Sequence, residues 1–289
     1  MVSVETGVAL GLALASTTLT NVAYLREHDA ASSLPPLSWR RPRESVRLLL
    51  TNRRWLEGFG LESTGFGLYV VALALASIAL VQSVAAGGIG VLAFVSARVA
   101  RRRLGRRELA GVAIAVLGLA ALGISLAGGG SGGDSDVETL PILLWLSGTV
   151  GVAFLVLTVG RRAIGTAAAE GIAGGLFFSI GDISTKVATQ GGLHVAFAVG
   201  VVSGYALGTW LLQLGYQRGA ALTVAGMATL LTNALPIAAG PAVLEEPVPS
   251  GALGVVRVLA FGLVTAGAIL LARPGGAAAG AETPAAEGS

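Results

Sequence analysis

The apolar residues of this chain fall into long runs, one after another, and that patterning constrains the fold more than any motif does. A helix rising ~1.5 Å per residue needs about 20 apolar residues to cross ~30 Å of hydrocarbon. Nine segments have that character: Val4 to Leu25, Leu56 to Leu75, Ile78 to Val99, Leu109 to Ala127, Leu140 to Gly160, Ala168 to Ala188, Val195 to Leu214, Ala220 to Leu244 and Gly251 to Ala272. Backbone in lipid must satisfy its own hydrogen bonds, which leaves helices or a closed barrel. These runs lack the period-two alternation of barrel strands. Only 12% of the 289 residues are charged, against roughly 25% in a soluble domain. The mean hydropathy is +0.78. The expected fold class is therefore all-α integral membrane, with about nine transmembrane helices.

Charge sets the expected orientation. Arg26, Arg40, Arg41, Arg43, Arg47, Arg53 and Arg54 follow the first segment, and Arg101, Arg102, Arg103, Arg106 and Arg107 follow the third. Arg161 and Arg162 follow the fifth, Arg218 the seventh and Arg273 the ninth. These are alternate loops. The intervening ones carry Asp134, Asp136, Glu138, Gln190, Glu245 and Glu246 instead. Arginine marks the cytoplasmic side, so the amino terminus is expected outside, the carboxyl terminus inside, and the protein multi-pass in the plasma membrane. The first segment has Glu5 where a signal peptide has basic residues, so it reads as a retained span. Residues 43–54 suit either a short helix on the inner leaflet or an ordinary basic loop.

Residues 1–273 read as a single transmembrane domain, with halves of about 1–128 and 139–273. The Ala-, Gly- and Pro-rich residues 274–289 read as a disordered tail. Cysteine is absent, which excludes disulfides and thiolate chemistry, and His28 and His194 are too scattered for a histidine metal cluster. No basic helix stands free of the membrane to bind nucleic acid. No nucleophile elbow, metal-ligand helix or phosphate loop argues for an enzyme. No cofactor is expected, and any metal site stays unknown. Among 43 glycines, Gly200, Gly204 and Gly208 form a small-residue stripe on one helix face. It can join helices within the chain or make a homodimer.

Spacing inside the chain repeats. Gly118-Leu119 with Gly123 parallels Gly262-Leu263 with Gly267, Gly111-Val112 parallels Gly254-Val255, and Ala79-Leu80 parallels Ala221-Leu222. Segments two to four thus resemble segments seven to nine. The offset of five is odd, so the copies are expected to cross in opposite directions. Inverted repeats of this kind mark secondary transporters, with the substrate site near the midplane. The first segment then pairs with the sixth, and the fifth has no partner.

Ionisable residues within spans are functional candidates by default. Asp182 lies ~9 Å below the expected outer boundary at helical rise, and Lys186 follows at the next turn. Arg257 enters the ninth segment to a similar depth. Glu62 belongs to the inner half. Asn233 is level with Asp182, and Gln82 sits in the outer part of segment three. These six residues are candidates for substrate binding or proton coupling. The alternatives are a buried ion pair of Asp182 with Lys186 or Arg257, and helix–helix hydrogen bonds for the neutral groups. Ser63, Thr64 and Asn21 read as packing groups, and Glu170 as a helix N-terminal acid.

Several stretches resemble a known superfamily. Ala72-Leu73-Ala74 with Leu80-Val81-Gln82 and the turn from Arg103 to Gly111 resemble the first half of the drug/metabolite transporters of EamA-like type. Gln217, Ala221-Leu222-Thr223-Val224 and Glu245-Glu246-Pro247 resemble the second half. The long basic loop ending Asn52-Arg53-Arg54-Trp55 resembles the NIPA-type magnesium transporter branch. That branch carries an acid where Phe66 stands, an asparagine where Tyr69 stands and a proline where Ser83 stands, with Glu62 one turn before Phe66. The resemblance implies a secondary transporter of a small solute or cation working by alternating access, with a divalent cation such as magnesium as the alternative substrate. A non-transporting membrane scaffold or sensor is the reading from another class.

Overall fold

A computed structural model describes residues 4–75, 88–99, 101, 103–126, 138–188, 192–243 and 251–272. Gln82, the head of the third apolar segment, the acidic run 127–137, the Glu245-Glu246 turn and the tail lie outside the described residues. Those described are mostly helical, with short turns between the helices and no strand among them. The helices are α1 (Val4–Ser33), α2 (Pro42–Thr51), α3 (Arg53–Leu75), α4 (Gly88–Val99), α5 (Arg106–Leu126), α6 (Thr139–Leu155), α7 (Thr166–Ala188), α8 (Ala198–Tyr216), α9 (Ala221–Val243) and α10 (Ala252–Ala272). Each of the nine apolar segments carries one of them. Among the described residues, four stretches are both long and apolar enough to cross a bilayer: Gly7–Ser33, Thr139–Ile164, Gly192–Tyr216 and Ala252–Leu271. Phe66, Phe94, Phe154, Val199 and Val258 lie exposed on the outside of the bundle. Such an apolar exterior is stable only against lipid.

Local chemistry explains the breaks. Proline opens α2, where a missing N–H costs nothing. Asn52 then stops that helix and starts the next, its Oδ1 accepting from the Trp55 N–H at 3.0 Å. The arginine-rich short helix is thus real but ends at Thr51, ahead of Arg53 and Arg54. α6 runs on through a π-helical turn (Val156–Gly160) and Arg161–Ile164 to Gly165, whose φ of +86° reverses the chain before α7. Pro236 lies inside α9 and deprives the Thr232 carbonyl of its helical donor.

Glycine contacts fix helix direction. Gly58 on α3 faces Glu27 and Ala23 of α1, and Gly65 faces Thr20 and Ser16, so the two run antiparallel. Ser16 Oγ ties them, donating to the Gly65 carbonyl at 2.7 Å. α7 and α8 are also antiparallel: Gly204 meets Gly181 and Phe177, Gly208 meets Phe178, and Gly200 meets Ser184. The Gly200, Gly204 and Gly208 stripe is therefore filled by α7 of the same chain. α7 and α9 run parallel, with Gly171 against Val224 and Gly175 against Ala228. α5 and α10 are antiparallel, with Gly111 on Leu271, Gly267 on Ala115 and Gly118 on Val264. The main core lies between these pairs, around Leu92, Leu122, Tyr216, Met227 and Leu230. α6 sits on the outside of α7 and buries only Ile142, Thr149 and Ala153.

Candidate functional site

One face each of α1, α3, α7 and α8 carries acids and tyrosines inward. On α1, Tyr24 and Glu27 are one turn apart. On α3, Glu62 and Tyr69 share a face two turns apart, and α7 supplies Asp182. On α8, Tyr205, Gln213 and Tyr216 follow one stripe at helical spacing. All four tyrosines of the chain are in this set.

The acids occupy two stations. At the first, Tyr205 Oη donates to Asp182 Oδ1 at 2.6 Å. Gly181, the residue before Asp182, lets the Tyr205 ring lie close: a Cβ there would stand 3.1 Å from it. At the second, Glu27 is fully buried, and Gln213 Nε2 donates to its Oε2 at 2.7 Å. Glu62 on α3 lies within electrostatic reach of Glu27. Gly58 makes this possible, because a Cβ there would fall 2.8 Å from Glu27 Cγ. Tyr24 joins the stations, lying within electrostatic reach of Glu62, Glu27 and Asp182. Tyr69 lies within reach of Asp182.

The sequence-derived candidates divide. Asp182 and Glu62 belong to the two stations. Lys186 is one turn beyond Asp182, with its side chain exposed. Arg257 does not reach the acids: it is buried against α5, where Nε donates to Ser125 Oγ at 3.3 Å and Nη2 to the Ser125 carbonyl at 3.4 Å. The reason is the α5–α10 contact, which turns this face of α10 away from α7. Asn233 Nδ2 donates to the Thr229 carbonyl of its own helix at 2.7 Å. Ser63 and Thr64 likewise return to α3 carbonyls, and Asn21 to α1. Glu170 is buried and paired with Arg218. Burial, together with nearby Arg161, holds the Arg218 guanidinium below its ordinary value.

Glu27, Tyr24, Tyr205, Gln213 and Tyr216 were not singled out from sequence, and Tyr69 was noted only for standing in place of an asparagine. Glu27 was hidden because the apolar run stops at Leu25, while α1 continues to Ser33 through Arg26, Glu27, His28 and Asp29. The available signal was the placement of every tyrosine inside or just beyond an apolar run.

A largely apolar cleft of about 330 Å³ is lined by Leu49, Trp55 and Phe59 and by Tyr205, Trp210 and Gln213. Its lining includes Tyr205 and Gln213, the partners of Asp182 and of Glu27. Carboxylate, phenol and amide oxygens are hard ligands, suited to hard cations or protons. Among the described residues no group of three or more His, Cys, Asp and Glu side chains converges as a metal-ligating set. The acids work as a pair and a single group.

These features define a helical membrane protein with an acid-lined interior. A protein of Arabidopsis thaliana described as the probable magnesium transporter NIPA9 is 23% identical over 282 residues, which cover 90% of this chain and 80% of that one. No family model matches the chain. No solved structure matches it either.

Proposed function

We propose that this protein is a secondary transporter of the drug/metabolite type that moves a cation across the plasma membrane by alternating access. The observation that carries this reading is the convergence of Glu27, Glu62 and Asp182 with all four tyrosines inside a lipid-facing helix bundle. Burying carboxyls away from water is costly, and in membrane proteins such groups mark ion and proton paths.

Helix directions support nine spans and an inverted repeat. Helices expected an even number of crossings apart, α7 and α9, are parallel. Those expected an odd number apart, α1 and α3, α7 and α8, α5 and α10, are antiparallel. The repeat equates the α1–α3 pair with the α7–α8 pair, and both are glycine-mediated. The arginine-rich end is then cytoplasmic.

A divalent cation, magnesium above all, is the more specific reading. The Arabidopsis relative is described as a probable magnesium transporter. Phe66 faces outward at 59% exposure, while Glu62 one turn earlier lies within electrostatic reach of Glu27, so Glu62 supplies an acid that position 66 does not. The test is flux into proteoliposomes loaded with a magnesium-sensitive dye, run beside other cations and small organic solutes. Saturable cation flux lost in Asp182→Asn is the expected result. Cation flux unchanged by Asp182→Asn rejects the site. Saturable flux of an organic solute alone rejects the cation reading, and no flux of any solute rejects transport.

A further inference from the structure

The amphipathic α2 and the cleft beside it carry a chemistry that the acid stations do not use. Residues 40–57 hold six arginines against two glutamates. Both glutamates are taken: Glu44 pairs with Arg41 at 3.5 Å, and Glu57 with Arg26 at 3.3 Å and Arg53 at 3.1 Å. Arg43, Arg47 and Arg54 are exposed and have no ion-pair partner among the described residues. Arg43 and Arg47 are one turn apart on α2, so they share a face. Val46 and Leu50, also one turn apart, form the adjoining stripe and are 43% and 54% exposed. The opposite side of the helix, with Ser45 and Leu49, is buried. This helix therefore turns an apolar stripe edged with unpaired cations outward.

The cleft continues that stripe. Val46 and Leu50 of α2 line it with Trp55 and Phe59 of α3, and α8 lines it from Tyr205 to Gln213. At helical rise that stretch of α8 is ~12 Å long. Phe59 is 42% exposed, so the cleft opens on the outside of the bundle, where lipid lies. A second observation points to a ligand here. Trp55 Nε1 and Trp210 Nε1 are buried without a hydrogen-bond partner, in residues exposed by 5% and 9%. An indole N–H only donates, and buried polar groups are nearly always satisfied. An apolar slot, two unsatisfied donors in its wall and free guanidinium groups beside it call for one molecule that is apolar along its length and anionic at its head.

We propose that this cleft binds one anionic phospholipid of the cytoplasmic leaflet. Its headgroup phosphate lies against Arg43 and Arg47, and one acyl chain follows the cleft between α3 and α8. The phosphate and ester oxygens, which only accept, supply the acceptors that Trp55 and Trp210 lack. Charge selects the headgroup: a zwitterionic lipid offers the same chain and the same ester oxygens but brings its own cation against the arginines. The leaflet follows from the arginines, which mark the cytoplasmic side, and that side is the one rich in anionic lipid. Tyr205 and Gln213 stand in the same wall, so a seated chain lies against the hydrogen-bond partners of Asp182 and Glu27. The site rests on the membrane reading of the bundle and is independent of what the protein carries.

The chain carries its own reporters. Three of its four tryptophans lie here, with Trp39 edge-on to Trp210 at 5.8 Å, while Trp145 packs elsewhere, against the Ile142–Ile183 cluster. The test uses the full chain with Trp145→Phe in detergent micelles, titrated with phosphatidylglycerol or phosphatidylcholine bearing the same brominated chains, which quench tryptophan emission on contact. Saturable quenching by phosphatidylglycerol is expected, at a concentration about tenfold or more below that needed for phosphatidylcholine. Arg43→Gln with Arg47→Gln should bring the two lipids together. Arg161→Gln with Arg162→Gln, equally exposed but in another loop, should change nothing. Ala206→Phe, at an exposed position in the cleft wall, should fill the slot and abolish the quenching with the arginines intact. Elution and melting check that each variant is folded. Equal quenching by both lipids overturns the site, and so does an equal loss from the Arg161 and Arg162 pair, which would show a diffuse field. Quenching that survives Ala206→Phe shows that no chain enters the cleft, and it also overturns the site. Because the readout needs no flux, a failed transport assay with selective quenching rejects the transporter reading and leaves the lipid site standing.

Discussion

Tyr24 lies within electrostatic reach of the acids of both stations. At this scale the Asp182 station gives a direct expectation. Tyr205→Phe removes one hydrogen bond to a carboxyl, worth ~1.5–3 kcal/mol when the acceptor is charged. The apparent cation affinity of the variant is expected to change by about tenfold or more, read from the substrate dependence of flux. Arg218→Gln tests a structural pair instead. It leaves the Glu170 carboxyl buried and unpaired. The cost is expected on the order of 2 kcal/mol, below the ~3–5 of a fully buried pair because Arg218 is partly exposed. Melting in detergent would register it. Asp182 and Glu62 were legible in sequence because an acid inside an apolar run stands out. Glu27 was not, since it lies past the apolar run and is buried only by residues far along the chain, Gln213 above all. Arg257 lies against Ser125 rather than beside Asp182 for a related reason: depth can be read from helical rise, but azimuth is set by the neighbouring helix.

Among the elements, closeness of approach is set by individual glycines, and substitution should separate those that matter from those that do not. A side chain at Gly204 would place its Cβ 2.6 Å from the Gly181 backbone nitrogen. Gly204→Val is therefore expected to destabilise by at least the ~1–3 kcal/mol typical of overpacking, by forcing α8 off α7. Gly60→Ala on α3 meets nothing within 4 Å and is expected to be silent in the same melting experiment, while Gly58→Ala two residues earlier disturbs Glu27. Helix existence was legible from hydropathy alone for every apolar segment. Helix ends were less so. α1 outlasts its apolar run because its last turns pack on α8, and the amphipathic α2 ends at Asn52 because that side chain caps the next helix. Such stops come from side-chain hydrogen bonds and tertiary contact, which hydropathy does not record.

For the whole molecule, orientation can be tested without background because the chain has no cysteine. A single cysteine at Ser38, in the arginine-rich loop, is expected to react with an impermeant maleimide only after the cells are opened. One at Leu193, which is 94% exposed at the other end, should react on intact cells. The reverse pattern would invert the assigned topology. The α5–α10 contact has a mechanical consequence. Its register is fixed at Gly111, Ala115, Gly118 and Ser125, spread over most of the length of α5, and the two helices come from opposite halves of the chain. Backbone packed this closely along a whole seam neither slides nor opens by small steps. That seam is the spine of the protein, the line along which its two halves are riveted into one body.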